Sequence, residues 1–162
     1  MDTTQGSPHG TNDKTTATRE MKIRLSTLWI FVMFNYLYCD VVGLMDSALL
    51  KQFLAGNVGE MQLNQGFLLG ASILMEIPIS MVLLSRLLRY TPNRWANLIA
   101  GLVMTAVQVS SLFFGSASTS YYIFFSMIEI TCTALIVWSA WKWTDPESTS
   151  IKNKLIAQEN MK

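Results

Sequence analysis

Three acidic side chains sit where charge is expensive. Asp40, Glu76 and Glu129 each lie inside an apolar stretch of 20 or 21 residues, and none of these stretches holds a Lys, Arg or His. A carboxylate near the middle of a bilayer costs about 2.5–3.5 kcal/mol even on the most lenient insertion scale, so acids there are functional candidates by default. Without a cationic side chain beside them, three states are open. They hold a proton, they line a wet cavity, or they bind a cationic ligand. Gln108, Asn35 and Tyr36 are neutral polar groups in the same stretches, fit to serve as donors and acceptors beside them.

Spacing decides which of these groups share a face. Tyr36 and Asp40 are four residues apart, with Asn35 and Cys39 on the adjoining row. Ser72, Glu76 and Ser80 follow at intervals of four; Asn97, Gly101, Thr105 and Gln108 at four, four and three; Tyr122, Ser126, Glu129 and Thr133 at four, three and four. Intervals of three and four align side chains along one side of a helix. Four such stripes predict four helices whose polar faces converge on a common axis, with Leu, Ile, Val and Phe turned outward. At 1.5 Å per residue, Asp40, Glu76, Gln108 and Glu129 all fall roughly 7 to 15 Å below one boundary, so a shared layer of three carboxyls and one amide is expected. Pro78, two residues after Glu76, removes one helical hydrogen bond and frees the Leu74 carbonyl nearby.

The elements that must position these groups stand out from a chain of 162 residues, 51% hydrophobic and 14% charged. Four windows, Leu25–Met45, Gly66–Ser85, Trp95–Gly115 and Tyr121–Trp141, contain only three of its 23 charged side chains. Each window matches the roughly 30 Å hydrocarbon thickness of a bilayer. The expected fold is all-α, an antiparallel four-helix transmembrane bundle with a short amphipathic helix on its outer face. We place a four-span membrane domain at 21–145, with spans at about 23–45, 64–88, 95–115 and 121–143, between cytoplasmic tails at 1–20, polar and disordered, and 146–162, with a short helix near Ile151–Met161. Eleven of the 12 basic residues fall in the two ends and the loop between the second and third spans, and only Lys51 lies elsewhere. The positive-inside rule then puts both termini in the cytoplasm of a multi-pass cell-membrane protein. Trp95, Trp141 and Trp143 at that face, and Tyr121 and Tyr122 at the other, read as interfacial aromatic belts.

The loop Asp46–Gln65 is longer than a helical hairpin needs. Asp46 is placed to cap a short helix carrying Leu49, Leu50, Phe53 and Leu54 along one stripe, and Gly56 to end it in the left-handed conformation. We expect this helix to rest on the lipid surface, the alternative being a lid over the bundle mouth. Gly66 and Gly70 form a GxxxG pair, expected with Gly101 and Pro78 at close helix contacts.

The segments KIRLSTLWIFVMFNYLYCDVVGLMD, GFLLGASILMEIPISMVLLSR and YYIFFSMIEITCTALIVWSAWKW resemble a prokaryotic family of small four-span integral-membrane proteins catalogued as a domain of unknown function. The likeness covers about residues 22–145 and takes in Asn35–Tyr36, Asp40, Glu76–Ile77–Pro78 and Glu129. It implies the fold and a cell-membrane location and brings no activity. The layout is also similar to DoxX-like four-helix proteins, an analogy of arrangement alone.

Several functions are excluded. A net charge of +1 gives no electrostatic basis for binding nucleic acid. The single histidine, His9, lies outside the spans, which removes intramembrane haem ligation and His-based zinc sites, so no metal or other cofactor is expected. Cys39 and Cys132 stand alone without a CxxC and read as small buried hydrophobes. No phosphate loop and no Ser/His pair is present, so enzymatic chemistry is not favoured. Three readings remain. Asp40, Glu76 and Glu129, with Gln108, Asn35 and Tyr36, form an outward-facing acidic pocket that binds or transports a small cation or proton, with a homodimer as the conducting unit. Or the chain is a non-catalytic subunit or scaffold whose acids serve helix packing. Or it is an intramembrane acid–base enzyme acting on a lipid-soluble substrate. The lipid bilayer is the one partner common to all three.

Overall fold

The computed structural model describes residues 9–59, 61–114 and 119–144. The chain runs through α1 (His9–Met45), α2 (Ser47–Leu54), a two-residue strand β1 (Asn57–Val58) paired antiparallel with β2 (Met61–Gln62), α3 (Gln65–Leu87), α4 (Tyr90–Phe114) and α5 (Ser120–Lys142). Each of the four long helices is long and apolar enough to cross a membrane. The four pack in a ring in the order α1, α3, α4, α5, and the fold is the expected all-α four-helix bundle.

α1 begins well before its span. Residues 9–20, expected as part of a disordered tail, are helical. Once a long apolar helix is nucleated, adding polar residues to its end costs little, and the Thr, Lys, Arg and Glu residues here include no helix breaker after Gly10. The rest of the two tails, residues 1–8 and 145–162, including the helix expected near Ile151–Met161, lies outside the described residues, as does the loop 115–118.

The core is a column of Leu25, Trp29 and Val32 from α1 meeting Met81 of α3, Met104 of α4 and Ile136 of α5. α4 and α5 approach closely because Gly101 carries no side chain. A Cβ there would stand 2.7 Å from Val137 Cγ2. The two ends of the bundle are built differently. At the end bearing the α3–α4 turn, Asn97 Oδ1 accepts from Trp29 Nε1 at 2.8 Å and from Ser85 Oγ at 3.2 Å, while its Nδ2 donates to Asn93 Oδ1 at 2.7 Å. Asn93 Nδ2 in turn donates to the Ser85 carbonyl at 2.6 Å. Three helices are thus knotted through three buried polar side chains and an indole. Arg94 adds hydrogen bonds from Nε and Nη2 to the Ala140 and Trp141 carbonyls, each 3.1 Å.

Trp143 departs from its expected place in an aromatic belt. It is buried, edge-on to Tyr90 with ring centroids 5.1 Å apart, and its carbonyl accepts from the Tyr90 hydroxyl at 2.6 Å. Trp95 and Trp141 remain exposed, as a belt requires.

The opposite end is covered by α2 and the hairpin. Asp46 Oδ1 accepts from the backbone of Ala48 at 2.9 Å and of Leu49 at 3.4 Å, satisfying the free donors of the first turn. Gly56 takes φ +76°, a left-handed conformation, and the Leu63 amide donates back to its carbonyl at 2.9 Å. The Gly59 amide, at φ +57°, donates to Gln52 Oε1 at 2.9 Å, tying the hairpin to α2.

Candidate functional site

The polar stripes do not meet on one axis. Those of α4 and α5 zip against each other: the Thr105 and Thr133 hydroxyls meet at 2.8 Å, Gln108 Nε2 donates to Ser126 Oγ at 2.7 Å, and the Ser111 and Tyr122 hydroxyls are 2.6 Å apart. The close approach at Gly101 brings short side chains within reach, and each finds a partner across the seam. Gln108 is committed to this seam. Asn35, half-buried, donates to the Phe31 carbonyl of its own helix at 2.8 Å.

Glu129 is the exception on α5. It is 1% exposed, and neither carboxyl oxygen has a hydrogen-bond partner. The Tyr36 hydroxyl, buried on α1, also lacks one. Tyr36 and Cys39 of α1 and Cys132 of α5 are buried where these two helices pack together, whereas Asp40, next to Cys39, is exposed. The α1–α5 contact therefore encloses one carboxyl, Glu129, with a phenol and two thiols, and neither span supplies a Lys, Arg or His to balance it; the second carboxyl, Asp40, stands exposed at its edge. Unsatisfied buried groups of this kind are uncommon in folded proteins and mark sites that a proton, water or ligand completes.

Above this contact lies a cavity of about 650 Å³ under α2 and the hairpin. Its floor and one wall come from Cys39, Asp40 and Gly43 of α1, the far side from Ser111, Tyr121 and Tyr122, and its roof includes Leu49, Gln52 and Phe53 of α2. The lining is mostly apolar, with Asp40 and Asp46 its acidic groups. On α5, Glu129 lies two turns deeper than Tyr122, roughly 10 Å. The loop expected to rest on lipid instead lies over this cavity, the alternative arrangement, because Leu49 packs against α1 where Gly43 leaves room; a Cβ on Gly43 would lie 3.3 Å from Leu49 Cδ2. Leu50 and Leu54, on the other side of α2, stay exposed.

Glu76 requires a correction. The stripe of Ser72, Glu76 and Ser80 points away from the bundle: Ser72 and Glu76 are exposed and Ser80 half-buried, while α3 buries Pro78, Met81 and Ser85. The shared layer of three carboxyls does not form, because Met81 and its neighbours offer the core more apolar area than the acidic face does. Gly66 and Gly70 also differ from expectation. Both are exposed, and a Cβ on Gly70 would meet nothing within 4 Å, so among the described residues no helix packs on them. Among the described residues, no three His, Cys, Asp or Glu side chains group so as to hold a metal ion.

Sequence reasoning missed the Trp29–Asn97–Ser85–Asn93 knot. Asn97 was visible on its stripe, but Trp29 and Ser85 are ordinary members of apolar windows. The cavity had one sequence signal, the apolar spacing of Leu49 and Phe53.

Fold and spans together define a multi-pass membrane protein built on one four-helix bundle. The chain belongs to the family of unknown function DUF6326, which matches residues 16–150. Neither the curated proteins nor the solved structures give a match.

Proposed function

We propose that the protein binds a small cation in the lidded cavity, with Asp40 on its wall as the charge partner and Glu129, buried below, as the acid that answers its charge. The observation that carries this reading is the Glu129 carboxyl, buried with both oxygens unpartnered below a mostly apolar chamber whose wall carries Asp40. An ionised Glu129 without a counter-cation is costly in so enclosed a place, so on this reading it carries a proton when no cation is bound. An entering cation replaces that proton as the compensating charge. Apolar walls formed by Leu49, Phe53, Leu63 and Phe67 favour a cation with an apolar body over a bare hydrated ion. Tyr121 and Tyr122 supply aromatic rings for its charge.

The basic residues argue for a cell-membrane protein with its knotted end and both termini in the cytoplasm and the lid outside. A fluorescent reporter fused after Thr144 is then active, and one inserted at Asn57 is silent; the reverse pattern overturns the orientation.

The binding test uses the full chain in lipid nanodiscs with tetraphenylphosphonium as probe. Calorimetry in two buffers of different ionisation enthalpy is expected to show saturable binding with release of about one proton per cation. Glu129→Gln is expected to remove the proton release, and Asp40→Asn to weaken binding about tenfold, the loss of one charge partner. Absence of saturable binding by the wild type overturns the reading.

A further inference from the structure

We infer that α3 is the interface through which two copies of this chain pair in the membrane. α3 is the least covered of the four spans: 11% of its most apolar stretch is buried, against 28% in α1 and α4 and 39% in α5. Its exposed face is not simply lipophilic. Leu69, Glu76 and Leu83 recur at intervals of seven along it, with Ser72 and Ser80 one turn to either side of the acid. Leu69 is 63% and Leu83 61% exposed, and Glu76 accepts only a long 3.3 Å contact from Ser80 Oγ of its own helix. A seven-residue repeat of large apolar side chains with one polar member is the pattern of a helix–helix seam, in which the polar member fixes register. Facing hydrocarbon alone, the acid is costly.

The surface selects its own copy as occupant. A second chain inserted in the same orientation brings its Glu76 to the same depth, and a twofold axis along the membrane normal sets the two side chains opposite each other. Across that axis the Ser72 and Ser80 hydroxyls of each copy come within reach of the other copy's Glu76, donors for an acid that has only one long contact of its own. The interface uses neither Asp40 nor Glu129, so it stands or falls apart from ligand binding.

The test is disulfide trapping in native membranes, together with association measured by energy transfer between labelled full chains in liposomes. Leu69→Cys and Leu83→Cys are expected to cross-link on oxidation. Phe124→Cys, on the exposed face of α5, and the wild type, whose two cysteines are buried, are expected not to. Glu76→Leu is expected to weaken association about tenfold, and Glu76→Gln, which keeps a donor and an acceptor, less than threefold. Cross-linking at Phe124→Cys but not on α3 overturns the proposal. So does a monomeric wild type, the result if lipid or a different protein covers this face, and so does a Glu76→Leu variant that pairs as tightly as the wild type.

Discussion

At Gly101 a hydrogen atom decides how near two spans come. Because a Cβ there would lie 2.7 Å from Val137 Cγ2 and 3.6 Å from the Thr133 carbonyl, Gly101→Leu is expected to lower stability by about 1–3 kcal/mol, seen as a lower melting temperature in detergent. Opening that seam also parts Thr105 from Thr133 and Gln108 from Ser126. Asn97 works the other way, through what it gathers. Replacing it with Leu strands the buried Trp29 indole, Ser85 hydroxyl and Asn93 amide together, a loss of about 1–3 kcal/mol. In a double-mutant cycle with Trp29→Phe, the two losses are expected to be less than additive, because both remove the same 2.8 Å bond; strict additivity contradicts the bond. Residue types also explain what could be read in advance. Glu129, Gln108 and Tyr36 face inward as their spacing predicts, since each sits on the same side as small or polar neighbours. Glu76 has an equally regular stripe and faces out. Periodicity says which residues share a side of a helix; it does not say whether that side turns to the bundle or away from it.

Among the elements, α2 most rewards a targeted test. It buries no residue completely, and its start depends on the Asp46 carboxylate. Asp46→Ala is expected to cost about 1 kcal/mol of local helix stability. Hydrogen exchange should therefore quicken across residues 47–54 while the melting temperature of the bundle stays unchanged; a global loss of stability would place α2 in the core instead. Its boundaries were legible because the cap and the left-handed Gly56 are local signals. Its place over the cavity was legible only as the alternative to lying on lipid, because the choice depends on the space Gly43 leaves on α1 and on Tyr121 arriving from α5. The four long helices were legible for the opposite reason: hydrocarbon thickness sets their length without reference to any neighbour. α1 shows where that reasoning stops. With 37 residues it is roughly 55 Å long, so its first turns stand clear of any hydrocarbon, and bilayer thickness carries no information about them.

For the whole molecule, the contrast between its ends matters most. The α3–α4 end is tied by Asn97, Asn93, Ser85, Trp29 and Arg94, and the α2 end is held by a short helix and a two-residue ladder. Native-state hydrogen exchange is expected to be slowest around residues 93–101 and fastest from 47 to 62; uniform protection across both ends contradicts this gradient. Backbone groups in the tied end are enclosed by packed helices, whereas those of the hairpin have few neighbours to keep water away. One consequence concerns traffic. For the cation proposed above, a chamber roofed by the looser end would work as a cup, not a pipe: what enters past α2 leaves by the same door. Draining it through the far end would mean undoing the asparagine clasp, where Asn97 gathers side chains from three helices.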